Sequence, residues 1–217
     1  DSLLDASNES FFSEFPKELN IRVQDEWIIS HEIARCFMIV LNYLYTGDSR
    51  AFSTINRILN ELIELSKESG LSLYWLIIRL LRIMFRSFEG SSLWDALPPV
   101  LPMNKTSKKY IRLLSELKAP VTELWPSQKS ALHIATGENE GGVVNLRTSG
   151  GKTRVAEIAI LDTLLKHEEA KILYLAPFRS LAFEIEQSLH KIFSPLDISI
   201  SQLYGGATAN TTDLELI

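Results

Sequence analysis

The chain has 217 residues, 46% hydrophobic and 23% charged, with a net charge of −5. This is ordinary globular composition with enough apolar material for a core, and its acidity excludes overall charge as the basis of any nucleic-acid binding. A lone cysteine, Cys36, excludes an internal disulfide and a cysteine metal cluster.

Along the chain, "DSLLDASNESFF" lacks the basic region and small-residue cleavage site of a signal peptide. The segment "EWIISHEIARCFMIVLNYLYTG" reads as a helix stopped by Gly47, with Cys36 packed in the core. In "RAFSTINRILNELIELSKESG", residues Phe52, Ile55, Leu59, Leu62 and Ile63 recur at helical spacing, and Gly70 stops the helix. The run "LSLYWLIIRLLRIMFRSF" is apolar on most sides, with Arg79, Arg82 and Arg86 on one stripe. That stripe reads as a solvated or ion-paired face, or as a docking surface for a partner or nucleic acid. Interrupted by arginine, the run is too short and too charged to span a bilayer, so a cytoplasmic protein is expected. "LPPVLP" is a connector, and "SKKYIRLLSELKAP" is a further helix ending before Pro120. The histidines His31, His133, His167 and His190 show no metal-ligand spacing.

The pattern changes from Gly141. "GGVVNL", "KILYLAP" and "DISISQLYGG" read as strands, and "GKTRVAEIAILDTLLKH" and "RSLAFEIEQSLHKIF" as helices between them. Near-continuous apolar strands alternating with helices predict a parallel sheet covered on both faces, with ligands at the carboxyl ends of the strands. The expected organisation is a helical region over 1–118, then the first part of an α/β domain over 119–217. "RTSGGKT", "PFRSLA" and "YGGAT" would then lie on one edge of the sheet.

The stretch "NLRTSGGKT" is the chemical centre of this reading. A full phosphate loop reads G-x-x-x-x-G-K-S/T, and here Leu146 replaces the first glycine. The physical requirements survive: Ser149, Gly150 and Gly151 are small enough for backbone N–H groups to curl round a phosphate, and Thr148 beside them is a further candidate contact. The helix from Lys152 points its positive end at the anion. Lys152 can reach the outer phosphates, and the Thr153 hydroxyl can ligate the Mg²⁺ that ATP carries. Arg154 follows as a further candidate contact. A glycine turn with an incidental lysine is the bland alternative, weakened by the strand before and the helix after.

With these residues in place, the chain resembles a superfamily-2 helicase of the DEAD/DEAH type, close to the Ski-like group. In that superfamily the loop reads A-P-T-G-x-G-K-T. Thr148, Gly151, Lys152 and Thr153 match it, Ser149 replaces a glycine, and Leu146 and Arg147 stand where Ala and Pro usually do. "RVAEIAIL" resembles the family's "LLAELAIL". "LWPSQKSAL" is similar to the Q motif, which implies that Gln128 reads the adenine edge of ATP. "APFRSLAFE" resembles motif Ia, which implies that Pro177, Arg179 and Ser180 hold the nucleic-acid backbone. "LYGGAT" sits where motif Ib begins, with Gly205 and Gly206.

The resemblance covers residues 120–217. It implies an incomplete RecA-like (P-loop) parallel α/β domain after the all-helical region, with ATP and Mg²⁺ as cofactors and Lys152 and Thr153 as catalytic groups. It also implies a translocase gripping single-stranded nucleic acid, with DNA favoured over RNA. The D-E-x-H box and second motor domain of the family are absent from these residues, so residues 1–217 alone are expected not to hydrolyse ATP at a useful rate. Helicases of bacterial anti-phage systems, such as the Hachiman system, carry a comparable N-terminal extension. The alternative is an ATP-binding module whose helical half docks a nuclease or regulator. A small-molecule kinase fits less well, because it has no use for a backbone-gripping loop.

Overall fold

The computed structural model describes residues 17–136, 141–147, 150–167 and 169–202. They contain eight α-helices and one short 3-10 turn: α1 Lys17–Thr46, α2 Ala51–Glu68, α3 Ser72–Ser91, α4 Leu93–Ala96, α5 Lys105–Glu116, α6 Pro126–Ala135, α7 Lys152–Lys166, α8 Arg179–Phe193 and the turn Ser194–Leu196. The chain divides into two compact units, residues 1–90 and 91–217. None of the described helices is long and apolar enough to cross a membrane.

The first unit is built by α1, α2 and α3. Helix α2 is the amphipathic centre: Phe52, Ile55, Leu59, Leu62 and Ile63 are buried at the helical spacing its sequence shows. Helix α1 packs against it with Ile29, Cys36 and Tyr43, one residue every two turns. Burial pushes the Cys36 thiol up to about 11, so it behaves as a small apolar side chain. Tyr43 and Phe52 meet edge to face at 4.8 Å, and Phe88 of α3 closes the aromatic group. Both predicted stops hold. Gly47 and Gly70 are left-handed at φ 69° and 65°, and Leu71 and Gly70 donate back to Ser66 and Lys67 of α2, the bonding that ends a helix on glycine.

In the second unit, Leu93, Tyr110, Leu132, Ile158 and Phe193 form a core shared by α4 to α8. The Asn104 side chain accepts from the Ser107 N–H at 3.0 Å and starts α5. Pro126 occupies the first turn of α6, where a missing N–H costs nothing. The Leu93 N–H donates to Thr122 at 3.0 Å and the Leu124 N–H to Ser91 at 2.8 Å, tying α4 to the chain entering α6.

The expected α/β fold is corrected here. Among the described residues there is no strand and no sheet, only an isolated antiparallel bridge between Ser92 and Glu123. Residues 141–147, 171–176 and 198–202 adopt no regular structure. The incomplete RecA-like parallel domain is therefore not what the structure contains, and the alignment of three loops along one sheet edge falls with it. The physical reason is that a strand exists only through its ladder. An apolar run supplies side chains suited to a sheet, but its N–H and C=O groups need a neighbouring strand, and these three runs form none with one another. Leu173 and Leu175 are 76% and 80% exposed and Val143 is 89% exposed, so the middle run stays outside the core and the first is only partly covered. Val144, Leu146, Ile198 and Ile200 do lie against the core, each pair two residues apart.

Candidate functional site

Four of the predicted site residues, Thr148, Ser149, Gly205 and Gly206, lie outside the described residues. The rest can be built from the backbone upward.

The predicted phosphate loop turns on two glycines with different duties. The Gly150 N–H donates to the Arg147 carbonyl at 2.9 Å. A Cβ on Gly150 would lie 2.9 Å from that same oxygen, so the turn is too tight for a side chain. Gly151 is left-handed, φ 72° and ψ 34°, and caps α7 at its N-terminus. A Cβ there would lie 2.1 Å from Nε2 of Gln128. The loop therefore needs Gly150 for its own curvature and Gly151 to admit a neighbouring helix. Gly151→Ala is expected to push the Gln128 amide away and strain the backbone, lowering stability by about 1–3 kcal/mol; an unchanged urea midpoint would show that this junction is not tightly fitted.

Gln128 is buried at 7% exposure. Its Oε1 accepts from the Trp125 N–H at 2.9 Å and its Nε2 donates to the Gly151 carbonyl at 3.4 Å. The amide that the resemblance assigns to adenine thus has both ends engaged within the chain, joining the start of α6 to the phosphate loop. Helices α6 and α7 pack against each other behind that junction.

Lys152 and Thr153 form the exposed first turn of α7. Lys152 Nζ donates to the Arg147 carbonyl at 3.5 Å, so the ammonium bends back across the loop. Arg147, which departs from the family pattern, serves here through its carbonyl, as acceptor for both Gly150 and Lys152. No acidic residue stands in the first turn of α7, so the helix end presents N–H groups, an ammonium and a hydroxyl together. That is the donor set an oligophosphate with its Mg²⁺ requires, and these residues fit the group.

Arg154 faces elsewhere. Its guanidinium pairs with Oε1 of Glu157, one turn along α7, and the Tyr110 hydroxyl of α5 donates to the same oxygen at 2.6 Å. Glu157 is 1% exposed and Tyr110 fully buried. Burial pushes the Glu157 carboxyl up, against the downward pull of Arg154 and the Tyr110 hydroxyl. Burial also drives the Tyr110 hydroxyl well above its ordinary value. Sequence reasoning passed over Tyr110 and Glu157. The available signal was an arginine followed three residues later by a glutamate on an otherwise apolar helix face, "RVAE".

Pro177, Arg179 and Ser180 are all exposed, with Arg179 and Ser180 opening α8 after Phe178. The first turn of α8 also lacks an acidic residue, so this helix end presents an arginine and a hydroxyl beside its positive terminus.

Residues 125–216 match the family model described as DEAD/DEAH box helicase. The chain is 35% identical over 200 residues to Hachiman protein HamB of Bacillus cereus, covering 92% of this chain and 18% of that protein. It is 42% identical over 67 residues to ATP-dependent DNA helicase Hel308 of Pyrococcus horikoshii, covering 31% of this chain and 9% of that protein. It is 32% identical over 85 residues to the DExH-box ATP-dependent RNA helicase DExH14 of Arabidopsis thaliana, covering 36% and 4%. The chain thus spans less than a fifth of the length of these relatives.

Proposed function

We propose, for a chain related to the superfamily-2 DEAD/DEAH box helicases through residues 125–216, that the protein containing it is an ATP-dependent nucleic-acid helicase or translocase. The observation that carries this reading is the glycine-cornered loop capping α7, with Lys152 bent across it and Thr153 exposed beside it. ATP would bring Mg²⁺ to this helix end. The Gly150, Gly151 and Lys152 backbone and the Lys152 ammonium would hold phosphate oxygens, and the Thr153 hydroxyl would face the metal. Gln128 would hold the loop in shape from behind. Matching over residues 125–216 supports nucleic acid as the track, and we favour single-stranded DNA over RNA. Kinship with a Hachiman protein over 92% of the chain supports a helicase of that type, in the anti-phage class that the N-terminal region resembles.

The test is steady-state ATP hydrolysis by the protein containing this chain, alone and with single-stranded DNA or RNA. Stimulation by one of them is expected and names the track. Hydrolysis indifferent to both would remove the motor reading and leave only a nucleotide-binding loop.

Arg179, at the open end of α8, is assigned to the phosphate backbone of the tracked strand. Removing one phosphate contact lowers the dependence of log K on log salt by roughly 0.7 for a single strand. Arg179→Ala is expected to show that change when binding is titrated across salt concentrations. Unchanged affinity and slope would take Arg179 out of the interface.

A second role is favoured by a separate observation. Helix α3 of the first unit carries a long exposed apolar face, with Leu73 at 68% and Ile83 at 66% exposure. Such a face suits docking of a protein partner on the helical unit, and a motor with a docked nuclease or regulator combines both roles.

A further inference from the structure

Deepening that docking role, and resting on it, we infer that α3 receives an acidic amphipathic helix of a different protein, laid along its exposed side as in a coiled coil. The register is written in the helix. Leu73, Leu76, Leu80 and Ile83 follow one another at spacings of three, four and three residues, the a and d positions of a heptad. All four are exposed, from 49% to 68%. Ile77 and Met84 fall at e and widen the apolar strip. Ile78 and Phe85 fall at f, on the opposite side, and are buried in the first unit. The helix therefore has two apolar faces and uses only one of them for its own unit. Over residues 73–84 the unused face runs about 17 Å at 1.5 Å per residue.

Charge decides the occupant. Between Ser72 and Phe88, α3 carries Arg79, Arg82 and Arg86 and no acidic or further basic residue. Arg79 and Arg86 fall at g, on the edge of the strip, where a coiled coil places its interhelical ion pairs. Arg79 stacks over the Trp75 ring at 4.8 Å, which holds its side chain in place before a partner arrives. A partner helix matching this edge needs apolar residues at its own seam and Asp or Glu beside them. A second copy of α3 fits poorly, because an antiparallel pairing sets arginine against arginine and a parallel one sets it against Ile77 and Met84. Nucleic acid fits poorly as well, because phosphate contact leaves six apolar side chains in water.

The experiment places p-benzoylphenylalanine at position 80 of the full-length protein in its own cells, with the same photoreactive residue at position 60 on the exposed side of α2 as comparison. Crosslinked peptides are identified by mass spectrometry. The expected product joins position 80 to a peptide of another protein with a three-four apolar seam flanked by Asp or Glu. Arg79→Glu with Arg86→Glu should lower its yield at least tenfold, and reversing the facing acidic residues of the partner to Arg should restore it. No crosslink at position 80, or one to the same polypeptide, to a second copy or to nucleic acid, overturns the inference, as does an intermolecular crosslink that ignores the charge reversal. A crosslink to another protein from position 60 alone would overturn this surface while sparing the broader docking role; silence at both positions would remove both.

Discussion

Lys152→Ala is expected to lower nucleic-acid-stimulated ATP turnover of the intact protein by roughly 10²–10³, the scale of one preorganised electrostatic group acting on developing charge. The side chain stands exposed on the first turn of α7 and donates a 3.5 Å hydrogen bond to the Arg147 carbonyl. A truncation of that kind changes stability by about 0.5 kcal/mol or less, so lost turnover would not reflect a lost fold. Lys152→Arg should not restore activity, because a broad planar guanidinium replaces a compact charge at a loop cornered by two glycines. Phosphate release measured at saturating ATP decides the matter. Turnover within a few-fold of the parent would mean that the ammonium does not act on the phosphates, and the functional reading of the loop would go with it.

Glu157→Ala is expected to cost about 3–5 kcal/mol, the penalty for breaking a buried ion pair from one side. The variant strands the Arg154 guanidinium, whose side chain is 18% exposed, and the fully buried Tyr110 hydroxyl, both of which donate to the one carboxylate oxygen that is lost. Tyr110→Phe removes a single donor and should cost about 1–2 kcal/mol. Domains of this kind have roughly 5–15 kcal/mol in all, so Glu157→Ala should be visible as a large drop in the urea midpoint. A change below 1 kcal/mol would show that α5 and α7 are held together by apolar packing alone. The pH dependence carries a definite sign. Because burial raises the Glu157 carboxyl in the folded state, its contribution is full below the unfolded value of about 4.3 and is lost as pH rises through the folded value. Glu157→Gln should flatten that part of the stability profile.

These two residues, five positions apart on one helix, show how unevenly the site could be read. Lys152 announced itself, because a lysine after two glycines at a helix start has few other uses. Glu157 did not, since its partners Arg154 and Tyr110 are 3 and 47 residues away and no local pattern identifies an acceptor for a tyrosine on another helix. Gln128 was legible as a candidate, yet its place behind Gly151 depends on how α6 and α7 pack.

Much of the helical structure was determined locally. The buried stripe of α2, the stops at Gly47 and Gly70 and the helix after the phosphate loop follow from side-chain periodicity and from glycine at left-handed turns, interactions that reach only a few residues. The resemblance of residues 125–216 to the DEAD/DEAH box helicases was legible for the same reason, as short motifs in order. Tertiary structure alone decided what became of the apolar runs at 141–147, 171–177 and 198–202. A helix satisfies its backbone within itself, so its pattern is sufficient evidence for it. A strand satisfies its backbone only through a neighbour distant in sequence, and no property of the run can supply that neighbour.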